Sequence, residues 1–190
     1  MNRSGTLLTL TACLMLFPAF ASAESNSSRL NKERLEVGRA LIEVTNENLA
    51  SIIPYYTDDI EYHDPIVDVQ GIEEMTEFLY RLFGNTPDLI TTVEDEVAID
   101  GMYTSTWTMR GTFRVSPDPA VPGVPYEAKG MSIIKFRDKS TDVYYQRDYY
   151  TEGDIMVAIP GLDSVICGFR SFYIAAVDPN PDFQCPPLPE

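Results

Sequence analysis

Near Pro87 the apolar rhythm of this chain changes from steps of three and four to steps of two, and that change limits the folds open to it. Before it, Leu30, Val37, Leu41, Val44, Leu49 and Ile53 share one helical face, and Pro54 ends or kinks the helix. Gly71 opens a second helix in which Ile72, Met75, Leu79 and Leu82 recur on one side, with Phe78 and Phe83 alongside, until Gly84-Asn85 closes it. Beyond Pro87, alternation predicts strands over Leu89–Ile99, Met102–Val115, Tyr126–Phe136 and Asp142–Tyr150. Ile99–Met102 and Arg137–Ser140 read as hairpin turns, and Ser116–Pro125, with four prolines and a glycine, reads as a loop. Helices followed by a meander predict an α+β layer fold: a curved antiparallel sheet wrapped around N-terminal helices, with a conical pocket between them.

Between the two helices, Tyr55–Asp68 reads as a helix end, a turn and a short strand. Side chains alternate along a strand, so Ile60, Tyr62 and Asp64 fall on one face. Pro65 restricts the backbone of Asp64 to an extended conformation. A carboxylate closing an apolar-aromatic row suits proton transfer; an aspartate that caps a strand-to-loop turn fits the same pattern. His63, the single histidine, should point away from Asp64 on a regular strand, and a bulge before Pro65 would turn it inward to shuttle protons. Tyr56, Tyr62, Phe78, Trp107 and Tyr149 are candidates to line a pocket for a flat apolar ligand. Arg147 would join them if it shares a face with Tyr145 and Tyr149, pairing with Asp64 or holding an anionic group; otherwise it makes a surface pair.

Tyr56–Pro65 followed by Gly71–Phe78 resembles the first strand and following helix of the NTF2-like family, which includes ketosteroid isomerases, SnoaL-type polyketide cyclases and limonene-epoxide hydrolases. The resemblance runs from about Leu35 to Thr151 and implies a cone-shaped α+β fold. In gap-free register it implies that Asp64 occupies the place of the isomerases' proton-abstracting aspartate. The isomerases' tyrosine falls on Ala40, and Ser132 stands nearest to their second acid, so neither oxyanion donor is retained. The hydrolases' closing-strand aspartate falls on Thr151, with Glu152 next, which leaves their Asp-Arg-Asp triad unsupported.

Residues 1–23 read as a secretory signal: Arg3, an apolar stretch over Leu7–Phe20, then Ala21-Ser22-Ala23. Leu10–Cys13 competes as a lipoprotein box, although the apolar run continues past it. The chain is accordingly divided into the signal, a SnoaL-like domain over 24–153, and a C-terminal helix with a proline-rich tail over 154–190. Leu162, Val165, Ile166, Phe169, Phe172, Tyr173 and Ala176 give that helix an apolar stripe, placed over the pocket mouth or the sheet edge. Cys167 and Cys185, the two cysteines left after processing, pair most simply as a disulfide, worth about 3 kcal/mol for a loop of roughly 18 residues. A thiol site or metal ligands are the alternative, and with one histidine and no C-x-x-C no zinc site is expected.

A net charge of −15 argues against nucleic acid and anionic membranes as partners. No phosphate loop or nucleophile elbow is present, so no cofactor or metal is implied. The reading that follows is a secreted or periplasmic enzyme that uses an aspartate acid/base to isomerise, cyclise or hydrate a small hydrophobic carbonyl- or epoxide-type molecule, with a possible homodimer. Its rival is a non-catalytic binding or dimerisation module of the same fold.

Overall fold

A computed structural model describes residues 26–177 apart from 115, 117, 119, 158 and 160, with side chains to 171. Residues 1–23, read above as a secretory signal, Cys185 and the tail therefore lie outside the described residues, as do the side chains of Phe172, Tyr173 and Ala176.

Helix α1 spans Asn26–Ile42 and α2 spans Leu49–Ile52, where a single helix over both was expected. Asn48 causes the break: its side-chain oxygen accepts the Thr45 N–H at 2.8 Å, a local bond that competes with helix continuation. Strands β1 (Tyr56–His63) and β2 (Asp68–Gln70) form a hairpin, and α3 (Ile72–Asn85) follows. The meander is β3 (Ile90–Ile99), β4 (Met102–Phe113), β5 (Val124–Phe136) and β6 (Val143–Tyr150). Two short elements, β2 and α4 (Glu152–Met156), were not foreseen; α5 runs over Asp163–Val177.

All six strands join one sheet in the order β2-β1-β6-β5-β4-β3. The sheet is mixed rather than wholly antiparallel, because β1 pairs with β6 in parallel. That pairing brings His63 beside Arg147 and Tyr62 beside Gln146, so the ends of the first and last strands meet. Register shifts in β3, β5 and β1 mark where the strands bend.

The core lies between α1, α3 and the inner sheet face, with Tyr103, Phe83, Leu49, Ile60, Met75, Ile134 and Val143 sealed from solvent. Arg34, buried on α1, donates to the carbonyls of Ser140 and Arg137 at 2.9 Å each and lies against Phe136. It thereby fastens the helix to the β5–β6 turn. Among the described residues, no helix is long and apolar enough to cross a membrane.

Candidate functional site

The inner face of the cone encloses a cavity of about 470 Å³, walled by Phe78, Leu79 and Leu82 of α3, Trp107 and Met109 of β4, and Ile155 and Met156 of α4. Among the described residues three carboxyl side chains line this mainly apolar space: Asp64 and Asp148, which share the Tyr62 hydroxyl, and Glu152 at the start of α4. The described part of α5 does not line it; α4 and Ile159 stand there instead, and Arg170 of α5 holds Asp154 of α4 at 2.6 Å. Gly130 on β5 makes room for one of these walls: a Cβ there would meet the Trp107 ring at 2.4 Å and the Tyr149 carbonyl at 2.5 Å.

Asp64 uses its two oxygens differently. Oδ1 accepts the backbone N–H of Ile66 at 2.7 Å and of Val67 at 2.6 Å, closing the turn around Pro65. Oδ2 faces the cavity and accepts from the phenol of Tyr150 at 3.2 Å, with Tyr62 Oη at 3.4 Å. The turn-capping and proton-transfer readings of the sequence thus fall on different atoms of one side chain.

Asp148 sits deeper. Ser132 Oγ donates to its Oδ1 at 2.6 Å, Gln146 Nε2 reaches both oxygens at 3.2 and 3.3 Å, and Tyr62 Oη donates to its Oδ2 at 3.0 Å. These donors are themselves oriented. Trp107 Nε1 donates to Ser132 Oγ at 2.8 Å, which leaves the serine hydrogen for Asp148. Tyr56 donates to Gln146 Oε1 at 2.9 Å, which turns the amide NH₂ toward Asp148. Burial pushes the Asp148 carboxyl up to about 6; the bonds from Ser132, Gln146 and Tyr62 oppose the rise, and the charge of Asp64 adds to it. Burial likewise lifts the Tyr62 and Tyr150 phenols well above their usual range, and both carboxylates reinforce the effect, so these hydroxyls stay protonated donors.

The Tyr62 phenol has one hydrogen and two carboxyl neighbours. When Asp148 is ionised, that hydrogen belongs to Asp148. When Asp148 is protonated, Asp148 can donate to Tyr62 Oη, which frees the phenol hydrogen for Asp64. Two acids and the hydroxyl between them form a short path for one proton.

Five sequence candidates meet at this cavity: Asp64, Tyr56, Tyr62, Phe78 and Trp107. Three do not. His63, Arg147 and Tyr149 lie on the outer sheet face. His63 Nδ1 sits 2.5 Å from Asp68 Oδ1, and Arg147 is exposed above the Tyr149 ring. No inward bulge forms before Pro65, because His63 stays in register with Asp68 and Arg147. Alternation then places Gln146, Asp148 and Tyr150 inside and Tyr145, Arg147 and Tyr149 outside. Gln146, Asp148 and Tyr150 are the site residues that sequence reasoning missed; Ser132, set beside the isomerases' second acid by the resemblance but not taken as a site residue, joins them. Arg147→Ala is expected to leave both the denaturant unfolding midpoint and the Asp148 titration in place. Denaturant unfolding and carboxyl NMR titration of the variant check both.

The profile of the SnoaL-like domain matches residues 38–141. No curated protein sequence matches the chain. Among solved structures, a phenazine biosynthesis-related protein from Pseudomonas aeruginosa aligns over 70% of this chain and 88% of its own, with TM-score 0.61 and 11% identity. A SnoaL-like polyketide cyclase, so named provisionally, from a Jannaschia species aligns over 70% and 94%, with TM-score 0.57 and 18% identity. A limonene-epoxide-hydrolase-like enzyme of M. tuberculosis aligns over 72% and 96%, with TM-score 0.56 and 15% identity. At these identities the likeness extends to the fold alone.

Proposed function

This chain belongs to the SnoaL-like domain family, and from that premise we propose that it is a cofactor-independent enzyme that moves protons on a small hydrophobic carbonyl compound. Asp64 is the base and Asp148, acting through Tyr62, supplies the balancing proton. Asp64 Oδ2 takes a hydrogen from the carbon next to the carbonyl. The C–H electron pair becomes the C=C bond of an enol, and the carbonyl oxygen takes a proton from Tyr62, which Asp148 replenishes. Return of the proton at another carbon is isomerisation; attack of the enol carbon on a second carbonyl of the same molecule is cyclisation; addition of water to a conjugated double bond is hydration. Polyketide cyclase and epoxide hydrolase are the names of fold neighbours; the chemistry assigned to this chain rests on its own residues.

The observation that carries the reading is the Tyr62 hydroxyl, 3.0 Å from one carboxyl and 3.4 Å from the other, inside an apolar cavity. A pure binding module has no use for two carboxyls there, since each must be desolvated. Export is part of the proposal and rests on residues 1–23 alone. A homodimer would use the outer sheet face, where Val97, Ile99, Met131 and Tyr149 are exposed.

The test is deuterium uptake. Apolar cyclic ketones are incubated with the protein in heavy water near pH 5, and exchange of the hydrogens beside the carbonyl is followed by NMR. Emission of Trp107, the single tryptophan, reports cavity occupancy. Exchange above the buffer rate supports the enzyme. An occupied cavity with no exchange overturns it in favour of the binding module.

A further inference from the structure

The cavity has a second polar end, remote from the acid pair. Thr86, at the C-terminus of α3, is fully buried, and its hydroxyl has no hydrogen-bond partner among the described residues. Its backbone is satisfied: its N–H donates to Leu82 and its carbonyl accepts from Leu89. The hydroxyl alone is left over, and an unpaired buried hydroxyl is destabilising enough to need an explanation. Its polar neighbour is the phenol of Tyr126 on β5: the two hydroxyls are close enough for Thr86 to oppose the burial-driven rise of that phenol, yet they do not reach full hydrogen-bond geometry, and both residues line the cavity. Gly111 on β4 keeps this end open: a Cβ there would lie 2.6 Å from the Thr86 methyl and 3.4 Å from the Tyr126 hydroxyl.

Tyr126 and Ser132 lie on one strand, and six residue steps at about 3.4 Å separate them by about 20 Å along it. Ser132 holds Asp148, so the two polar ends stand at opposite ends of a long, mainly apolar space. Charge narrows the occupant further. Among the described residues that line the cavity Arg81 is the one basic residue, and it is exposed at the rim and paired with Glu77 at 2.5 Å. Three lining carboxyls, Asp64, Asp148 and Glu152, with no unpaired cation among the described residues facing them, do not suit an anion.

We propose that the cavity selects an elongated, uncharged, largely apolar molecule with a polar group at each end, the second of which hydrogen-bonds to the Thr86 hydroxyl and the Tyr126 phenol. Thr86 and Tyr126 are specificity-determining residues. The inference deepens the carbonyl reading above and rests on it only for which end reacts. A hydrophobic wall rejects an added hydroxyl weakly, whereas paired buried donors reject a partner that lacks one strongly.

The experiment uses binding, so that failure of the chemistry and failure of this inference are separable. Straight-chain diols with a hydroxyl at each end, from hexanediol to dodecanediol, are titrated against the matching mono-alcohols, with Trp107 emission as readout. Diol affinity should peak at one chain length. At that length, Thr86→Val and Tyr126→Phe should each weaken the diol about tenfold. The mono-alcohols can turn their one hydroxyl to the acid pair and should change less than about twofold. Equal loss for both probes, or diol binding without a length optimum, would overturn the proposal. The empty protein gives a second readout. Val matches Thr in shape and removes an unpaired hydroxyl, so Thr86→Val should raise the thermal midpoint. A lower midpoint would show that the hydroxyl is already satisfied, for instance by a bound water, and would also overturn it.

Discussion

Asp64→Asn is expected to slow hydrogen exchange in a bound ketone by about a hundredfold to ten-thousandfold, the range spanned by positioned acid–base groups. An amide does not accept the proton as a carboxylate does. The substitution isolates that role because the other duty of Asp64 survives it. An asparagine oxygen at the Oδ1 position still accepts from Ile66 and Val67, so the turn around Pro65 remains closed. Its NH₂ takes the place of Oδ2, opposite the Tyr62 and Tyr150 hydroxyls, which can rotate to accept. Stability should therefore change by no more than about 1 kcal/mol. Asp64→Ala would confound the two roles, since it strands two backbone donors as well as removing the base. Exchange rate at saturating ketone, with Trp107 emission confirming occupancy, is the measurement. An unchanged rate in a filled cavity would remove Asp64 from the mechanism.

The fold was legible because period and punctuation agreed. Steps of three and four up to Phe83, then alternation with turn residues at Asp100-Gly101 and Asp138-Lys139, leave few arrangements other than helices under a meander. Half of the site was legible for the same reason. Ile60 and Tyr62 are apolar between polar neighbours, so Asp64 inherits their face. The other half was not, because β6 reads as aromatic on both sides. Tyr145 and Tyr149 stand on one face of it and Tyr150 on the other, so the strand alone does not reveal which parity is inside. Its neighbours decide. Ser132 pairs with Asp148 and Ile134 with Gln146, and Ser132 and Ile134 are both buried. The usable signal was a serine in the same parity as Ile134 and Phe136. A small polar residue in a buried row needs a polar partner across the ladder, and the aspartate opposite was that partner. The place of the isomerases' tyrosine holds Ala40 and supplies no donor; beside the acid pair the phenols come instead from strands β1 and β6, at Tyr62 and Tyr150.

Asp148→Asn should remove the contribution that Asp148 is expected to make to the pH dependence of both stability and rate. Burial lifts the Asp148 carboxyl from an ordinary 3.8 to about 6. Below about pH 4 the folded and unfolded chains both keep this proton. Between about 4 and 6 the unfolded chain has released it while the folded chain retains it, so the folded state binds more protons and loses stability as pH rises. Above about 6 both are ionised and the loss is complete. A shift of this size corresponds to about 2 kcal/mol once some water in the cavity is allowed for. Asparagine resembles the protonated acid: its oxygen accepts from Ser132 and Gln146, and its NH₂ donates to Tyr62, whose hydrogen then turns to Asp64. Urea unfolding of both proteins from about pH 4 to 7 should therefore give a difference that moves by about 2 kcal/mol in favour of the variant as pH rises. The rate should follow the same group with the same sign. Exchange by the parent falls as pH climbs through about 6, because the proton that Tyr62 passes on is gone; the variant lacks that limb and runs at a lower, level rate. A flat stability difference would mean that water reaches Asp148 freely, and a surviving limb in the variant would assign the proton to another group.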